Sequence, residues 1–300
     1  MAWLELSITI DANQQQRLES ALEDLGALAV TLSDADVDTP DERAIFEPGV
    51  GETPLWKGVV VQALFEANTD RAGLIDALIE FIPEFSPDQF AFRDVDDQDW
   101  TRAWIDTFQP MRFGRRLWIY PWHIEPPDSV DDVIVRLDPG LAFGTGTHPT
   151  TSLCLQWLDS LDLRGKTMID FGCGSGVLAI AALKLGAARV IGVDNDEQAI
   201  VASRDNAQRN GVSEKLDLYT PDAFEPAPAD VLVANILAGP LSDLAPVFAN
   251  CVKSGGVFAI SGILDGQQDE LVARYGAWFD SLSVAVQDGW VRISGTRTER

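Results

Sequence analysis

The chain has 300 residues, 46% of them hydrophobic, and a formal net charge of -25 at pH 7. This length and hydrophobicity allow a large buried core and favour about two globular domains. So strong a negative charge repels the phosphates of nucleic acid and attracts a basic protein, which argues against direct binding to bare RNA. Solubility alone is an equally good reason for the charge, and that alternative stays open.

The amino terminus and the cysteines exclude further classes of protein. The first ten residues alternate apolar and polar side chains from the third residue on, and they lack the basic start and apolar block of a signal peptide. No run approaches the ~18 apolar residues of a membrane-spanning helix, so we expect a soluble, cytoplasmic protein with no membrane partner. The three cysteines show no C-x-x-C spacing, which argues against a disulfide framework and a metal site.

Residues 1–96 predict a small α+β domain. The pattern predicts strands at 3–10, 27–32, 58–65 and 90–95, and helices at 11–25 and 70–82. The order βαββαβ indicates a two-layer, ferredoxin-like fold. Between the second and third strands, Ser33 to Trp56 is rich in Asp, Glu, Pro and Gly, and is expected to be a long exposed loop. Such a loop either contacts a substrate or is a disordered insertion.

Residues 97–127 are predicted to be a linker. Trp100, Trp104 and Phe108 fall at i, i+4 and i+8, one stripe of a short helix. An aromatic stripe at this spacing usually means packing, so we assign it to an interdomain core rather than to a ligand cage. Arg116 to Tyr120 is predicted to form a strand.

Residues 128–300 alternate strands with helices. Strands are predicted at 133–137, 167–171, 190–194, 215–220, 231–235, 257–261, 281–287 and 290–294, and helices at 150–160, 176–185, 196–210, 241–251 and 266–275. Alternation of this kind predicts a doubly wound, mostly parallel α/β sheet. Ligands of such sheets lie off the carboxyl ends of the strands where the strand order reverses, so we expect the site at the end of the 167–171 strand.

The most informative pattern of the chain begins at that strand. An apolar run ends at Asp170, turns through Gly172, Gly174 and Gly176 into an Ala/Leu-rich helix, and meets a second apolar run that ends at Asp194. A βαβ nucleotide site places its ribose-hydroxyl acceptor about 20 residues beyond its glycines, where Asp194 stands. The pattern predicts an adenosine-containing cofactor. An ordinary tight turn is the alternative, and the flanking strands disfavour it.

The glycine spacing discriminates between cofactors. Dinucleotide sites use G-x-G-x-x-G to hold a pyrophosphate, whereas this chain has G-x-G-x-G and no Arg or Lys from Phe171 to Leu183. A sulfonium cofactor has no phosphate; it needs room for a methionine tail and acids nearby, which we expect Asp170 and Asp194 to provide. The sequence therefore favours S-adenosylmethionine over NAD.

Two more segments are expected at this site. The loop Asp138 to Thr151 precedes the βαβ unit, and we expect it to close over the cofactor, with Phe143 on an apolar portion and a Thr hydroxyl on the amino-acid end. A helix cap at Thr147 or Thr150 is the alternative and is compatible with that role. His148, in the same loop, is a candidate general base because its ordinary proton affinity suits the task.

Asn235-Ile-Leu-Ala begins at the end of the predicted 231–235 strand. From there a side-chain amide can bind the N–H groups of an amine and aim its lone pair at a methyl group, so Asn235 is a candidate catalytic residue. A simple turn role for Asn235 is the alternative. Asp196, which starts the helix after Asp194, is assigned as a helix cap rather than a ligand.

The segments 100–104, 113–118, 137–151, 169–185, 193–210 and 234–240 together resemble the ribosomal protein L11 methyltransferase family, and the stretches FGTGTHPTT and NILAGPL carry the likeness most specifically. The resemblance implies a class I S-adenosylmethionine-dependent methyltransferase fold. It also implies methylation of lysine side chains and the amino-terminal amine of ribosomal protein L11, with residues 1–96 recognising that substrate through a flexible joint. Family cofactor residues map onto Thr151, Gly172, Asp194 and Asn235, and the motif adds Gly174.

Other readings of the same cofactor site stay open. They are an RNA or small-molecule methyltransferase, a non-catalytic nucleotide-binding module and an NAD-dependent dehydrogenase. The Ile-Leu after Asn235 differs from the Pro-Pro-Tyr of glutamine and adenine N-methyltransferases, which disfavours those activities. We expect a monomer.

Overall fold

The computed structural model of the protein describes residues 3–37, 55–95, 108–138 and 148–299. The chain divides into two compact units, residues 1–100 and residues 101–300. Phe143, Trp100, Trp104 and most of the predicted Ser33–Trp56 loop lie outside the described residues.

The first unit is an antiparallel sheet packed against helices. Its described elements are β1 (Trp3–Asp11), α1 (Gln15–Asp24), β2 (Ala29–Asp34), β3 (Gly58–Glu66), α2 (Arg71–Phe81) and β4 (Ala91–Val95). The strands pair in the order β2-β3-β1-β4, and each pairing is antiparallel. The chain order and the strand order confirm the predicted ferredoxin-like fold.

The alternation in β1 decides which face of this sheet is covered. Leu4, Leu6 and Ile8 are buried in one core with leucines of α1 and α2, while the residues between them are partly exposed. Helix α2 begins after Asp70, whose side chain accepts a hydrogen bond from the backbone N–H of Ala72 at 3.2 Å. Asp70 therefore caps α2.

A small three-stranded sheet opens the described part of the second unit. It contains β5 (Met111–Phe113), β6 (Leu117–Tyr120) and β7 (Val133–Arg136), with β6 antiparallel to β5 and parallel to β7. We had placed the 133–137 strand in the main sheet, and that placement is wrong. Alternation of apolar and polar residues shows which side chains of a strand are buried. It does not show which neighbouring strand forms hydrogen bonds with it. β6 lies in the predicted linker (residues 97–127) and β7 lies in the predicted domain that follows it, so their pairing joins the two.

The rest of the second unit is a seven-stranded sheet, counted over the described residues. Its elements are α3 (Pro149–Ser160), β8 (Thr167–Phe171), α4 (Val177–Lys184), β9 (Arg189–Val193), α5 (Glu197–Arg209), β10 (Leu216–Tyr219), β11 (Ala229–Asn235), α6 (Ala238–Cys251), β12 (Val252–Leu264), α7 (Gln268–Tyr275), β13 (Phe279–Gln287) and β14 (Trp290–Arg297). The strand order is β10-β9-β8-β11-β12-β14-β13. The first five strands are parallel. β14 pairs antiparallel to β12, and β13 pairs antiparallel to β14 and so runs in the same direction as the first five.

Both faces of this sheet are covered. In β11, Val231 and Val233 lie in a core with α3, α4 and the three-stranded sheet, whereas Leu232 and Ala234 lie in a second core with α6 and α7. Burial on both sides explains the continuous apolar runs of the central strands. The arrangement confirms the predicted doubly wound, Rossmann-like class.

The topology fixes where a ligand can bind. From β8 the chain adds β9 and β10 on one side and then returns to add β11 and β12 on the other. The strand order therefore reverses between β8 and β11, and a crevice forms off their carboxyl ends. Among the described residues, no helix is long and apolar enough to cross a bilayer.

Candidate functional site

The glycine loop after β8 adopts a backbone that glycine alone enters easily. Gly172, Gly174 and Gly176 have φ values of 77, 54 and 79°, all in the left-handed region. The backbone N–H groups of Gly172 and Cys173 donate to the Val193 carbonyl at 2.7 and 3.1 Å. These bonds hold the loop against the end of β9, and the main chain there carries few side chains that could block a ligand.

A cavity of about 200 Å³ lies at this edge of the sheet, and ten described residues line it: Thr151, Gly172, Cys173, Gly174, Val177, Leu178, Asp194, Asn195, Asn235 and Ile236. Five of the predicted site residues are thus brought together, namely Thr151, Gly172, Gly174, Asp194 and Asn235. Phe143 lies outside the described residues, and His148 is not among the lining residues.

Five lining residues are not among the predicted ones: Cys173, Val177, Leu178, Asn195 and Ile236. Each is within four residues of a predicted one, so proximity to the motif was the available signal. Val177 and Leu178 form the first turn of α4, which the glycine loop aims at the cavity. Burial raises the pKa of the Cys173 thiol to about 12, so this side chain is a neutral wall at pH 7.

Asp194 presents a carboxylate at the end of β9. Its Oδ2 accepts from the Gly174 N–H at 2.8 Å and its Oδ1 from the Asp196 N–H at 3.0 Å. A carboxylate oxygen has about two acceptor positions, so each oxygen keeps one. Asp196 in turn caps α5, because its Oδ1 accepts from the Gln198 N–H at 2.8 Å. The carboxylate of Asp194 is therefore held rigidly and still has room for two hydroxyl donors.

Contrary to the prediction, Asp170 is not among the described residues that line the cavity. It is fully buried, its Oδ2 accepts from the Ala179 N–H at 3.0 Å, and its Oδ1 has no hydrogen-bond partner. Burial raises the pKa of this carboxyl to about 8, and the nearby Asp194 charge adds to the effect. Asp170 is therefore mostly protonated at pH 7 and stands behind the cavity wall, where it supplies no negative charge to a ligand.

Asn235 is fixed by its neighbour across the cavity. Its Nδ2 donates to the Oγ1 of Thr151 at 3.3 Å, and Thr151 is fully buried in the first turn of α3. Among the described residues, no donor reaches Asn235 Oδ1. The amide nitrogen is therefore anchored on Thr151, and its carbonyl oxygen accepts from none of the described donors.

His148 is the residue at which α3 begins. Its Nδ1 accepts from the Thr150 N–H at 3.3 Å and lies 2.7 Å from Thr150 Oγ1, and its ring meets the Trp290 ring edge-on at 4.7 Å. His148 rather than Thr150 is thus the helix cap, and Thr147 lies outside the described residues. Burial lowers the pKa of this imidazole, which keeps it neutral at pH 7.

Comparison with known proteins identifies the family. Residues 2–298 match the model of the family described as ribosomal protein L11 methyltransferase (PrmA). The chain belongs to the ribosomal protein L11 methyltransferase family. A ribosomal protein L11 methyltransferase from Stenotrophomonas maltophilia is 55% identical over 305 aligned residues, which cover 99% of either chain. That of Pseudomonas putida is 54% identical over 299 residues, 99% of this chain and 100% of the relative.

A solved structure of the L11 methyltransferase family supports the same assignment. The crystal structure of the ribosomal protein L11 methylase from Lactobacillus delbrueckii subsp. bulgaricus superposes with a TM-score of 0.58 at 32% identity, and covers 64% of this chain and 100% of that chain. L11 methyltransferases are S-adenosylmethionine-dependent methyltransferases, so the class of enzyme and the cofactor predicted from the glycine motif are confirmed.

The cavity of this L11 methyltransferase family member suits that cofactor. None of the described lining residues is an Arg or Lys, so the described walls offer no side-chain cation to a phosphate. The anchored Asp194 carboxylate offers two acceptor positions to a sugar diol. The cavity is smaller than the roughly 300–1,000 Å³ of pockets that enclose a whole drug-sized ligand, so the described walls hold only part of the cofactor. Within the described residues, no group of three or more His, Cys, Asp or Glu is placed to hold a metal ion.

Proposed function

We propose that this chain methylates amino groups, namely lysine side chains and the amino-terminal amine, of ribosomal protein L11. The observation that carries the proposal is the anchored amide of Asn235 at the carboxyl end of β11, with its carbonyl oxygen available in the cavity. An amine keeps N–H groups after it loses its charge, and an acceptor that binds one of them aims the lone pair. The relatives at 54 and 55% identity are named for this substrate.

Five residues are proposed to hold the cofactor around this amide. Asp194 accepts the ribose hydroxyls, Gly172 and Gly174 leave the main chain open to the methionine portion, and Thr151 contacts the amino-acid end. Phe143, from the loop before α3, is proposed to cover an apolar portion. When bound, the cofactor supplies a methyl group on a positively charged sulfur, which needs no further activation.

Orientation is therefore the main task of the chain's own residues. Asn235 holds the amine, and the apolar walls at Val177, Leu178 and Ile236 exclude water from it. Positioning of this kind is worth up to about 7–11 kcal/mol of a reaction barrier. Proton removal is a smaller contribution. His148 stays a proposed base for it, because a neutral imidazole accepts a proton.

We propose a separate role for each of the three predicted segments of the chain. Residues 1–96 recognise the protein substrate, residues 97–127 are the joint, and residues 128–300 carry out the transfer. The net charge of -25 favours a basic protein over RNA as the substrate. We further propose that the enzyme acts as a monomer in the cytoplasm.

Two variants separate cofactor binding from transfer. We expect Asp194→Ala to weaken cofactor binding, because a hydrogen bond to a charged group is worth about 1.5–3 kcal/mol, or roughly tenfold or more in affinity. Asn235→Ala removes the amine's acceptor and the hydrogen bond to Thr151, so it is expected to lower kcat on the order of 10²-fold and to change cofactor affinity less. Isothermal titration gives the affinities, and intact-mass analysis of methylated ribosomal protein L11 gives the rates.

Each variant is the control of the other in this experiment. Equal losses of affinity and rate in both variants would indicate general unfolding of the site, which thermal melting detects. Normal affinity in Asp194→Ala together with a normal rate in Asn235→Ala rejects the proposed site. Wild-type enzyme that adds no methyl groups to ribosomal protein L11 rejects the proposed substrate.

A further inference from the structure

Ile236, the residue after Asn235, lies between two glycines from other segments of the sheet. An ideal Cβ on Gly172 would lie 2.2 Å from Ile236 Cγ2, and one on Gly262 would lie 2.1 Å from the Ile236 carbonyl oxygen. Non-bonded carbon atoms normally approach to about 3.5–4.0 Å. The two glycines have φ values of +77 and +90°. Neither position therefore accepts a side chain while Ile236 stays where it is.

Gly262 interrupts β12 beside the end of β11. The register of β12 with β14 shifts between Ser261 and Ile263, so residue 262 is the extra residue of a bulge. Ser261 is the parallel partner of Asn235, and its carbonyl accepts from the Ile236 N–H at 3.1 Å. The bulge thus holds the Ile236 backbone at both ends, through a hydrogen bond to its nitrogen and a close approach to its carbonyl.

The two glycines act on different atoms of Ile236. The space beside Gly172 holds the Cγ2 methyl group of Ile236, which can move by rotation of the Ile236 side chain. Gly262 admits a carbonyl group, and its ideal Cβ also lies 2.7 Å from the Ile236 carbonyl carbon. Relief of a backbone collision requires the peptide that follows Asn235 to move. Residue 262 therefore controls the position of this peptide more strictly than residue 172 does.

We infer that Gly262 is a positioning residue for methyl transfer: its missing side chain admits the Ile236 carbonyl and so sets the place of the Asn235 amide against Thr151. The inference rests on the role of Asn235 in the proposed function. Gly262 is not among the described lining residues of the cavity, so it acts through Ile236 and does not touch a ligand there. A displacement of about 1 Å at a reacting group lowers a rate on the order of 10²-fold.

Gly262→Ala tests the inference, with Gly266→Ala as the matched control. Gly266 also has a left-handed φ, of +103°, but an ideal Cβ there meets no atom within 4 Å. Both variants carry the strain of alanine in this region, and only Gly262→Ala adds the collision. We expect kcat on ribosomal protein L11 to fall on the order of 10²-fold in Gly262→Ala with near-normal cofactor affinity, and to stay unchanged in Gly266→Ala.

A second pair of variants covers the case in which Gly262→Ala fails to fold. Ile236→Ala and Ile236→Gly both remove the side chain from the cavity, and only the second also frees the backbone that the bulge holds. We expect a lower kcat in Ile236→Gly than in Ile236→Ala at equal cofactor affinity. Equal kcat in these two variants overturns the inference.

The outcomes distinguish this inference from the proposed function. If wild-type enzyme methylates ribosomal protein L11, Asn235→Ala lowers kcat, and Gly262→Ala matches Gly266→Ala, the positioning role of Gly262 alone is overturned. If wild-type enzyme transfers no methyl group, or Asn235→Ala keeps its rate, the proposed function fails and the inference fails with it. A selective loss of kcat in Gly262→Ala supports both.

Discussion

Two carboxyl groups at the ends of neighbouring strands have opposite environments. Asp170 at the end of β8 is 0% exposed and has one oxygen without a partner, whereas Asp194 at the end of β9 is half-buried and accepts two backbone hydrogen bonds. Because burial disfavours the charged form, Asp170 keeps its proton at pH 7. Of the two acids, Asp194 lines the cavity and Asp170 does not, although both follow apolar runs in the sequence.

The environment of Asp170 predicts a pH-dependent stability. Its pKa is raised from 3.8 to about 8 in the folded protein, so between these values the folded state holds a proton that the unfolded state releases. The free energy of unfolding contributed by this group is therefore fully present at low pH and declines as pH rises towards 8. Asp170→Asn has no proton to release, and we expect a shallower decline than in wild type. Urea unfolding at several pH values from 4 to 8 measures both slopes, and parallel slopes would contradict the prediction.

At the scale of elements, one side chain connects the β5–β6 hairpin to helix α3. Asp159, near the end of α3, is buried and accepts from the Arg115 N–H at 2.6 Å and from Arg116 Nε at 3.2 Å. An ideal Cβ on Gly114 would lie 2.5 Å from the Asp159 carboxylate, so the turn of the hairpin needs glycine at this point. Residues assigned to the linker thus belong to the packing of the second unit.

We expect Asp159→Ala to destabilise the protein by about 1–3 kcal/mol, because it leaves a backbone donor without its partner. Asp162→Ala is the matched control. The Asp162–Arg164 ion pair, in the next turn of chain, has exposed side chains, and exposed pairs contribute little. Chemical denaturation of both variants gives the free energies of unfolding. An Asp159→Ala protein as stable as wild type would show that the hairpin is held by its apolar contacts alone.

At the scale of the whole molecule, charge is the dominant property. The chain has 47 acidic residues against 22 lysines and arginines. A field of this sign accelerates the encounter with a basic protein by 10- to 10³-fold at low salt and leaves an uncharged partner unaffected. If the proposed substrate is correct, the charge contributes to catalytic efficiency through the rate of association.

This field predicts a salt dependence. The kcat/KM for ribosomal protein L11 is expected to fall at least tenfold between about 0.01 and 1 M ionic strength, as the Debye length shrinks from about 30 to 3 Å. Transfer to a small peptide amine without net charge is the control and should change little. Initial rates at low substrate concentration give both values. A salt-independent kcat/KM for the protein substrate means that the charge serves solubility.

The sequence by itself determined the two folds, the cofactor and five of the ten described residues that line the cavity. Alternation in β1, the apolar runs of β8 and β9, and the glycines between them are local patterns, and local patterns fix the elements. Chain order then places Asp194 and Asn235 at one edge, because parallel strands end at the same side of a sheet.

Only the tertiary structure decided the rest, because it depends on contacts between distant segments. Three features are of this kind: the pairing of β7 with β6, the burial that keeps Asp170 protonated, and the approach of Gly262 to the Ile236 carbonyl. The local sequence around these residues does not indicate any of the three. Periodicity states that a side chain is buried. It does not state which atoms the side chain packs against, and those atoms set the proton affinity and the position of each group in this site.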